Sequence, residues 1–134
     1  MNEIIAAFVG AIAAVVVWYL SARDLRKIDR ENKKREIRLQ FLVDAYRKIE
    51  SSGNRPLSHD SEYARNIENA IGDIQLFGSR KQVELTQAEA KLLCATGHAT
   101  HDALLNELRR DLRSELDLEA LSDERQILRI TEKK

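Results

Sequence analysis

Residues that constrain or cross-link a chain are scarce in this sequence. Among 134 residues there is one cysteine, Cys94, which excludes an intramolecular disulfide framework and fits a reducing compartment. One proline, Pro56, and five glycines indicate long helices joined by few loops. The sequence also lacks a Gly-rich phosphate loop, a CxxC pair and a nucleophile elbow. We therefore expect neither enzyme activity nor a cofactor.

Charge is absent from the seventeen residues between Ile4 and Leu20. A helix of this length reaches about 25 Å, close to the lower limit for crossing a bilayer core. Two alternatives are a cleaved signal peptide and a buried helix of a soluble protein. The acidic start (Met1-Asn2-Glu3) and the poor cleavage site (Leu20-Ser21-Ala22) disfavour the first. Residues 1–20 are thus predicted to form an N-terminal transmembrane helix.

Positive charge is concentrated directly after this segment. From Ser21 to Arg38 there are eight basic and four acidic residues, although the whole chain has no net charge. Basic residues are retained on the cytoplasmic side of membranes, and Trp18 and Tyr19 suit the headgroup level at the same end. The prediction is a membrane protein with the N-terminus outside and the C-terminal region in the cytoplasm. Anionic lipid headgroups are the partners expected for the basic cluster.

Small residues recur within the apolar segment at a spacing that lets helices approach closely in a membrane. They are Ala6, Gly10 and Ala14, widened by Ala7 and Ala11. This face is predicted to form the contact between membrane helices or to line a pore. A pore requires about four or more copies of the chain, so a homo-oligomer is expected.

A heptad-like pattern follows over residues 21–52, the predicted basic juxtamembrane helix or coiled coil. Its members follow one another at alternating spacings of three and four residues, and two of them are polar. They are Leu25, Ile28, Asn32, Arg35, Leu39, Leu42, Tyr46 and Ile49. Asn32 is the polar position expected to fix register and strand number. Extended backwards, the register enters the apolar segment, which predicts one continuous helix of about 45 residues.

The rest of the chain, residues 58–134, is predicted to form a cytosolic helical bundle. Gly53 and Pro56 end the first helix, and Ser58 or Asp60 is the expected cap of a second helix with an apolar stripe from Tyr63 to Phe77. A third helix begins at 80 or 87, or bends between them, because Ser79–Gln82 and Thr86–Glu89 both have the capping-box pattern. It is expected to continue to Leu116. The predicted fold is therefore all-α, with two helices after the long first one forming an oligomeric bundle.

Three residues at helical spacing, Cys94, His98 and His101, form a weak candidate metal site. One helix face usually supplies only two ligands of good geometry. The alternative is that Cys94 is a small core residue and that the histidines flank a contact between helices. No resident metal is predicted.

Three arginines, Arg109, Arg110 and Arg113, are the candidate residues for an anionic ligand or a phosphate backbone. The competing interpretation is local pairing along the helix with Glu107, Asp111 and Glu115.

Three strings together resemble a family of small bacterial proteins with one N-terminal membrane helix and a cytosolic helical region. They are Asp44-Ala45-Tyr46-Arg47-Lys48-Ile49-Glu50, Ala70-Ile71-Gly72-Asp73-Ile74-Gln75-Leu76-Phe77-Gly78 and Leu108-Arg109-Arg110-Asp111-Leu112-Arg113. The layout is similar to that of membrane effectors of the Hailong type of bacterial antiviral defence. In that type a nucleotidyltransferase makes an oligodeoxyadenylate signal that gates an oligomeric ion channel. The resemblance implies a ligand-gated channel with an oligonucleotide signal and a nucleotidyltransferase partner. A membrane-anchored helical scaffold without channel activity is the alternative.

Overall fold

The computed structural model describes residues 1–53 and 61–122, and these form four α-helices and no strand. The helices are α1 (Asn2–Ser52), α2 (Glu62–Phe77), α3 (Arg80–Thr96) and α4 (Asp102–Glu115). The all-α class and the long first helix are confirmed. The expectation of two helices after α1 is wrong, because there are three.

The chain divides into two compact units, an N-terminal unit (Met1–Ile37) and a helical unit (Arg38–Lys134). This boundary differs from the divisions drawn in the sequence between 20 and 21 and between 52 and 58. The last part of α1 belongs to the helical unit because its side chains enter the core of that unit.

The core of the helical unit is built from α1, α2 and α4. Its apolar side chains are at most 7% exposed. They recur at spacings of three or four residues, apart from the neighbours Leu104 and Leu105, and so form one buried face on each helix. They are Leu42, Ala45 and Ile49 from α1, Ile67, Ala70 and Ile74 from α2, and Leu104, Leu105, Leu108 and Leu112 from α4. The predicted stripe of α2 is thereby confirmed at its centre. Helix α3 contributes two buried polar residues, Gln82 and Thr86, and the Thr86 hydroxyl donates to the Gln82 carbonyl at 2.7 Å.

The starts of α2 and α3 are set by serine caps. Ser61 caps α2, its Oγ accepting from the Ala64 amide at 3.1 Å. The predicted caps Ser58 and Asp60 lie outside the described residues, as does Pro56. At α3 the capping box is confirmed, since Ser79 N–H donates to Gln82 Oε1 at 2.8 Å and Gln82 N–H donates to Ser79 Oγ at 3.4 Å. Helix α3 therefore begins at Arg80, not at 87.

Gly97 ends α3 and divides what the leucine stripe predicts to be one helix. Its φ of 73° is left-handed, and its amide donates to the Leu93 carbonyl at 2.8 Å. Glycine adopts this conformation without a steric penalty, so it terminates a helix readily. The apolar pattern continues past Gly97 because α4 returns to the same core.

The C-terminus of α4 closes in a Schellman motif. Leu118 N–H donates to the Arg113 carbonyl at 2.8 Å and Asp117 N–H to the Ser114 carbonyl at 3.1 Å. Asp117 supplies the left-handed residue, with a φ of 55°. The motif turns the chain so that residues 120–122 border a concavity together with α4.

Replacing Asp117 with glycine is expected to stabilise the helical unit. The left-handed conformation costs a residue with a Cβ atom about 1 kcal/mol, which glycine avoids. Part of this gain is offset because glycine raises the conformational entropy of the unfolded chain. The free energy of unfolding should rise by about 0.5 kcal/mol, and Asp117→Val should lower it. Urea unfolding followed by circular dichroism checks both variants. Equal stability of the glycine and valine variants would contradict a left-handed residue 117.

Candidate functional site

The apolar segment of α1 is exposed along its length in the single chain. Phe8, Ile12 and Val15 are 70%, 59% and 62% exposed. Helix α1 is the one helix among the described residues that is long and apolar enough to cross a membrane, and none of its most apolar window is buried inside the structure. A core helix of a soluble protein, in contrast, is mostly buried.

The small-residue face is exposed among the residues that the structure describes. Its five members, Ala6, Ala7, Gly10, Ala11 and Ala14, are all exposed. A Cβ atom placed on Gly10 would find no atom within 4 Å. The face thus remains open to another helix, and its role in an oligomer stays a prediction.

The juxtamembrane part of the predicted coiled coil is also exposed. Leu25 and Ile28 are 66% and 57% exposed, and Asn32 is exposed as well. Lys34 pairs with Glu31 at 2.9 Å, a surface interaction between neighbouring turns. Over this part of α1, the seam is available to a second chain.

The second half of the same seam packs within the chain. Leu42 and Ile49 are at most 1% exposed, and Leu39 and Tyr46 are partly buried against the core. The prediction that these four residues continue a coiled coil between chains is therefore corrected. A spacing of three and four is equally the pattern of a helix packed on its own domain, so the periodicity did not distinguish the two arrangements.

The weak candidate metal site is not assembled. Cys94 is exposed in α3, His98 is exposed in the link after Gly97, and His101 precedes α4, so the three do not share a helix face. The structure contains no group of three or more His, Cys, Asp or Glu side chains suited to a metal among the residues it describes. The reason is the helix break at Gly97, which the sequence pattern does not anticipate.

His101 instead has a structural role. It is 6% exposed, and its Nδ1 lies 2.8 Å from Glu89 Oε2. A Cβ atom on Gly53 would lie 2.6 Å from the His101 ring, so this ring packs directly on the end of α1. The histidine therefore joins α3, the start of α4 and the end of α1 at one buried point.

The three candidate arginines line one concavity, and their role in binding an anion stays a prediction. Arg109, Arg110 and Arg113 border it together with Asn106 of α4 and the residues that follow the Schellman motif. Its volume is about 230 Å³. Arg109 and Arg113 are half-buried and Arg110 is exposed. Arg113 Nε donates to the Glu119 carbonyl at 2.8 Å, which orients this guanidinium towards the turn.

Acidic residues of α4 form ion pairs with other helices, whereas the sequence pattern predicts pairs with arginines of α4 itself. Asp111 accepts from Arg38 at 2.7 Å, and Glu115 accepts from Arg38 at 3.1 Å. Among the local pairs expected along α4, the one between Glu107 and Arg110 is present. Glu107 also pairs with Lys81 of α3 at 3.1 Å.

Arg38 is the functional residue of the helical unit that sequence reasoning missed. Its Nε donates to the Phe77 carbonyl at 3.1 Å, and its two terminal nitrogens bind Asp111 and Glu115. Gln82 also donates to Asp111, at 2.8 Å. One guanidinium thus joins α1 to the end of α2 and to two turns of α4, and Gln82 of α3 binds the same Asp111 carboxylate. In the sequence, Arg38 is one of the eight basic residues between residues 21 and 38. Its position next to Leu39 is the one local indication that it lies near the core.

Comparison of the chain with protein-family models, with curated proteins and with solved structures yields no match.

Proposed function

We propose that the protein is a homo-oligomeric, single-pass protein of a bacterial inner membrane that forms an ion pore opened by a ligand. The observation that carries the proposal is the charge-free segment of α1, whose described side chains are exposed in the single chain. A segment of seventeen residues without charge is stable in hydrocarbon rather than in water.

Self-association is supported by two exposed surfaces on α1. In the membrane segment, no described atom lies within 4 Å of a Cβ placed on Gly10. Beyond it, Leu25 and Ile28 expose apolar side chains at heptad positions. Copies packed through both surfaces would place α1 helices around a common axis, and about four or more copies would enclose a pore.

The wall of such a pore would be apolar, because the segment has no ionisable residue between Ile4 and Leu20. An apolar constriction opens when it wets and closes when it dewets. The basic residues from Arg23 onward would stay on the cytoplasmic side, with the helical unit in the cytoplasm.

Gating by a ligand is supported by the position of the ion pairs on α4. This helix carries the arginine-lined concavity and also the two carboxylates that hold Arg38, a residue of α1. A ligand that changes the position of α4 would alter the contacts of α1 at this arginine. The resemblance to Hailong-type effectors suggests an oligonucleotide as the signal and a nucleotidyltransferase as its source.

A membrane-anchored scaffold without conduction is the second candidate function. One observation favours it. Leu42 and Ile49 are buried inside the helical unit, so the heptad seam that would connect chains along α1 is occupied from Leu39 onward. An anchor and an interaction unit joined by one helix require no further contact between chains.

The mass of the purified protein in detergent is the first test. A pore predicts a particle of about four or more chains, and a monomer or dimer would overturn it. Intact mass near 15.3 kDa per chain also establishes that the apolar segment is retained. Ion flux into liposomes then separates the pore from the scaffold.

Paired variants sharpen this test. Gly10→Leu with Ala14→Leu fills the small face and should reduce both the particle mass and the flux, since close approach of the helices is lost. The control, Val9→Leu with Val16→Leu, places two leucine side chains on the other side of the helix and should leave both unchanged. Equal behaviour of the two pairs would contradict association through the small face.

A further inference from the structure

We infer that a basic stripe on α1, formed by Arg23, Lys27 and Arg30 with Arg26 beside them, binds the headgroups of anionic phospholipids. The inference rests on the membrane-spanning part of the proposed function, but not on conduction. All four side chains are exposed and follow the charge-free segment directly. Composition shows only that residues 21–38 are basic, whereas the helix decides on which side the charge lies.

One unbroken helix places the stripe on a single side of α1. At 3.6 residues per turn, Arg23, Lys27 and Arg30 lie within about 60° of one another around the helix axis. Leu25 and Ile28, the exposed apolar residues of the heptad seam, lie on the opposite side. A second copy bound along the seam would therefore leave the stripe facing outward, towards lipid.

Acidic residues of this part of α1 lie to the side of the stripe. The three acids between residues 21 and 34 are each about 70° or more from its centre around the axis. They are Asp24, Asp29 and Glu31. Glu31 is the nearest, and it accepts a hydrogen bond from Lys34 at 2.9 Å. This hydrogen bond and the charge of Lys34 lower the pKa of Glu31, with smaller contributions from Lys27 and Arg30. Because the carboxylate is directed mainly to Lys34, the stripe keeps a net positive charge.

The first members of the stripe are close enough to the membrane to contact the headgroups. At about 1.5 Å per residue, Arg23 lies about 5 Å and Lys27 about 10 Å beyond Leu20, the last residue of the charge-free segment. The headgroup layer is about 5–7 Å thick on each side of a bilayer. Side chains of an α-helix lean towards its N-terminus, which here is the direction of the membrane, and long basic side chains extend back to the interface. Lys33 and Lys34 lie about 20 Å beyond Leu20 and are too distant for this contact.

An aromatic side chain lies at the membrane end of the stripe. Tyr19 is 62% exposed and lies four residues before Arg23, on the same side of α1. Tyr19, Arg23 and Lys27 border one concavity along the helix. Amphipathic rings favour the headgroup level, and basic side chains donate hydrogen bonds to phosphate oxygens. A headgroup phosphate at this concavity would accept from both bases and from the tyrosine hydroxyl.

The sequence of the stripe favours a lipid over a nucleic acid. Sites for single-stranded nucleic acid combine basic residues with aromatic side chains on which the bases stack. No aromatic residue lies between Arg23 and Lys34. Charge near a membrane surface, in contrast, needs no stacking surface to attract anionic lipid.

Lipid preference at the protein tests the inference. The full chain is incorporated into phosphatidylcholine liposomes with a trace of spin-labelled phosphatidylglycerol or spin-labelled phosphatidylcholine. Electron paramagnetic resonance measures the fraction of each label that the protein immobilises, and the ratio gives the preference for the anionic headgroup. The variant is Arg23→Gln with Lys27→Gln. The matched control, Lys33→Gln with Lys34→Gln, removes the same charge from exposed positions further from the membrane.

We expect the wild type and the control to prefer phosphatidylglycerol alike, and the preference of the Arg23/Lys27 variant to be about fivefold or more lower. Exchange of the two bases, Arg23→Lys with Lys27→Arg, keeps the charge and should retain the preference. High salt should weaken the preference of the wild type, because these charges are exposed.

The inference is overturned if the wild type immobilises both lipids equally, or if the Arg23/Lys27 variant and the control lose the same preference. Binding of a short oligothymidylate that is lost in the Arg23/Lys27 variant, without any lipid preference, would assign the stripe to nucleic acid instead. Immobilisation of neither label would show that α1 does not span the bilayer, which removes the proposed function as well. Equal immobilisation of both labels would remove the lipid site alone, since particle mass and flux are measured without anionic lipid.

Discussion

Two aspartates in the apolar segment, Ala11→Asp together with Val15→Asp, should move the protein out of the membrane fraction. Near the centre of a membrane helix an aspartate costs about 3 kcal/mol on insertion scales, so two cost about 6 kcal/mol. That is a change of about four orders of magnitude in the partition of the helix. Both positions are exposed in the single chain, so the substitutions leave the core of the helical unit intact.

Carbonate extraction of membranes, followed by blotting of pellet and supernatant, measures this partition. The control is Leu25→Asp with Ile28→Asp, which adds the same charge on the exposed juxtamembrane part of α1. These residues lie beyond the predicted span, so the control should remain in the pellet. Retention of the Ala11/Val15 variant in the pellet would contradict a membrane-spanning helix, and release of both variants would place the boundary of the span further along α1.

Arg38→Met is expected to destabilise the helical unit by about 2 kcal/mol. Removing the guanidinium leaves Asp111 and Glu115 as adjacent carboxylates without their cation and leaves the Phe77 carbonyl without a donor. Losing one partner of a fully buried pair costs about 3–5 kcal/mol. The Arg38 and Asp111 side chains are 27% and 26% exposed, so solvent reduces the penalty.

Urea unfolding of the full chain in nonionic detergent, followed by circular dichroism, measures the loss. Adding Asp111→Asn and Glu115→Gln to Arg38→Met removes the stranded charges and should recover about half of the stability. Arg80→Met is the matched control, because Arg80 is 93% exposed and pairs only with Glu84 of its own helix. A loss no larger than in this control would show that Arg38 does not hold the helices together.

Local features of the fold were predictable because neighbouring residues specify them. The Ser79–Gln82 capping box depends on four consecutive residues, and its two hydrogen bonds form as the pattern predicts. The apolar segment needs no tertiary information either, since its length and lack of charge suffice. The three arginines were recognised for the same reason, because residues within two turns of a helix lie near one another.

Long-range features could not be predicted in this way. Asp111 has arginines one and two residues away in the chain, yet it pairs with Arg38 at 2.7 Å, 73 residues away. Only packing of α1 on α4 brings these two side chains together. The pairing changes the surroundings of the candidate arginines, because it directs the Asp111 carboxylate to an arginine of α1.

Leu25 and Leu42 lie in one heptad register of α1, and the sequence assigns them the same role. The first is 66% exposed and the second is fully buried. Periodicity specifies which face of a helix is apolar, but it does not specify what covers that face. The helix, its apolar face and its charge-free segment thus follow from the residues of α1, whereas the partner of each part depends on where α2 and α4 pack. From Leu39 onward, α2 and α4 cover the heptad seam of α1. Before Leu39, the side chains of Leu25 and Ile28 remain exposed, and we expect a second copy of the chain to bind there.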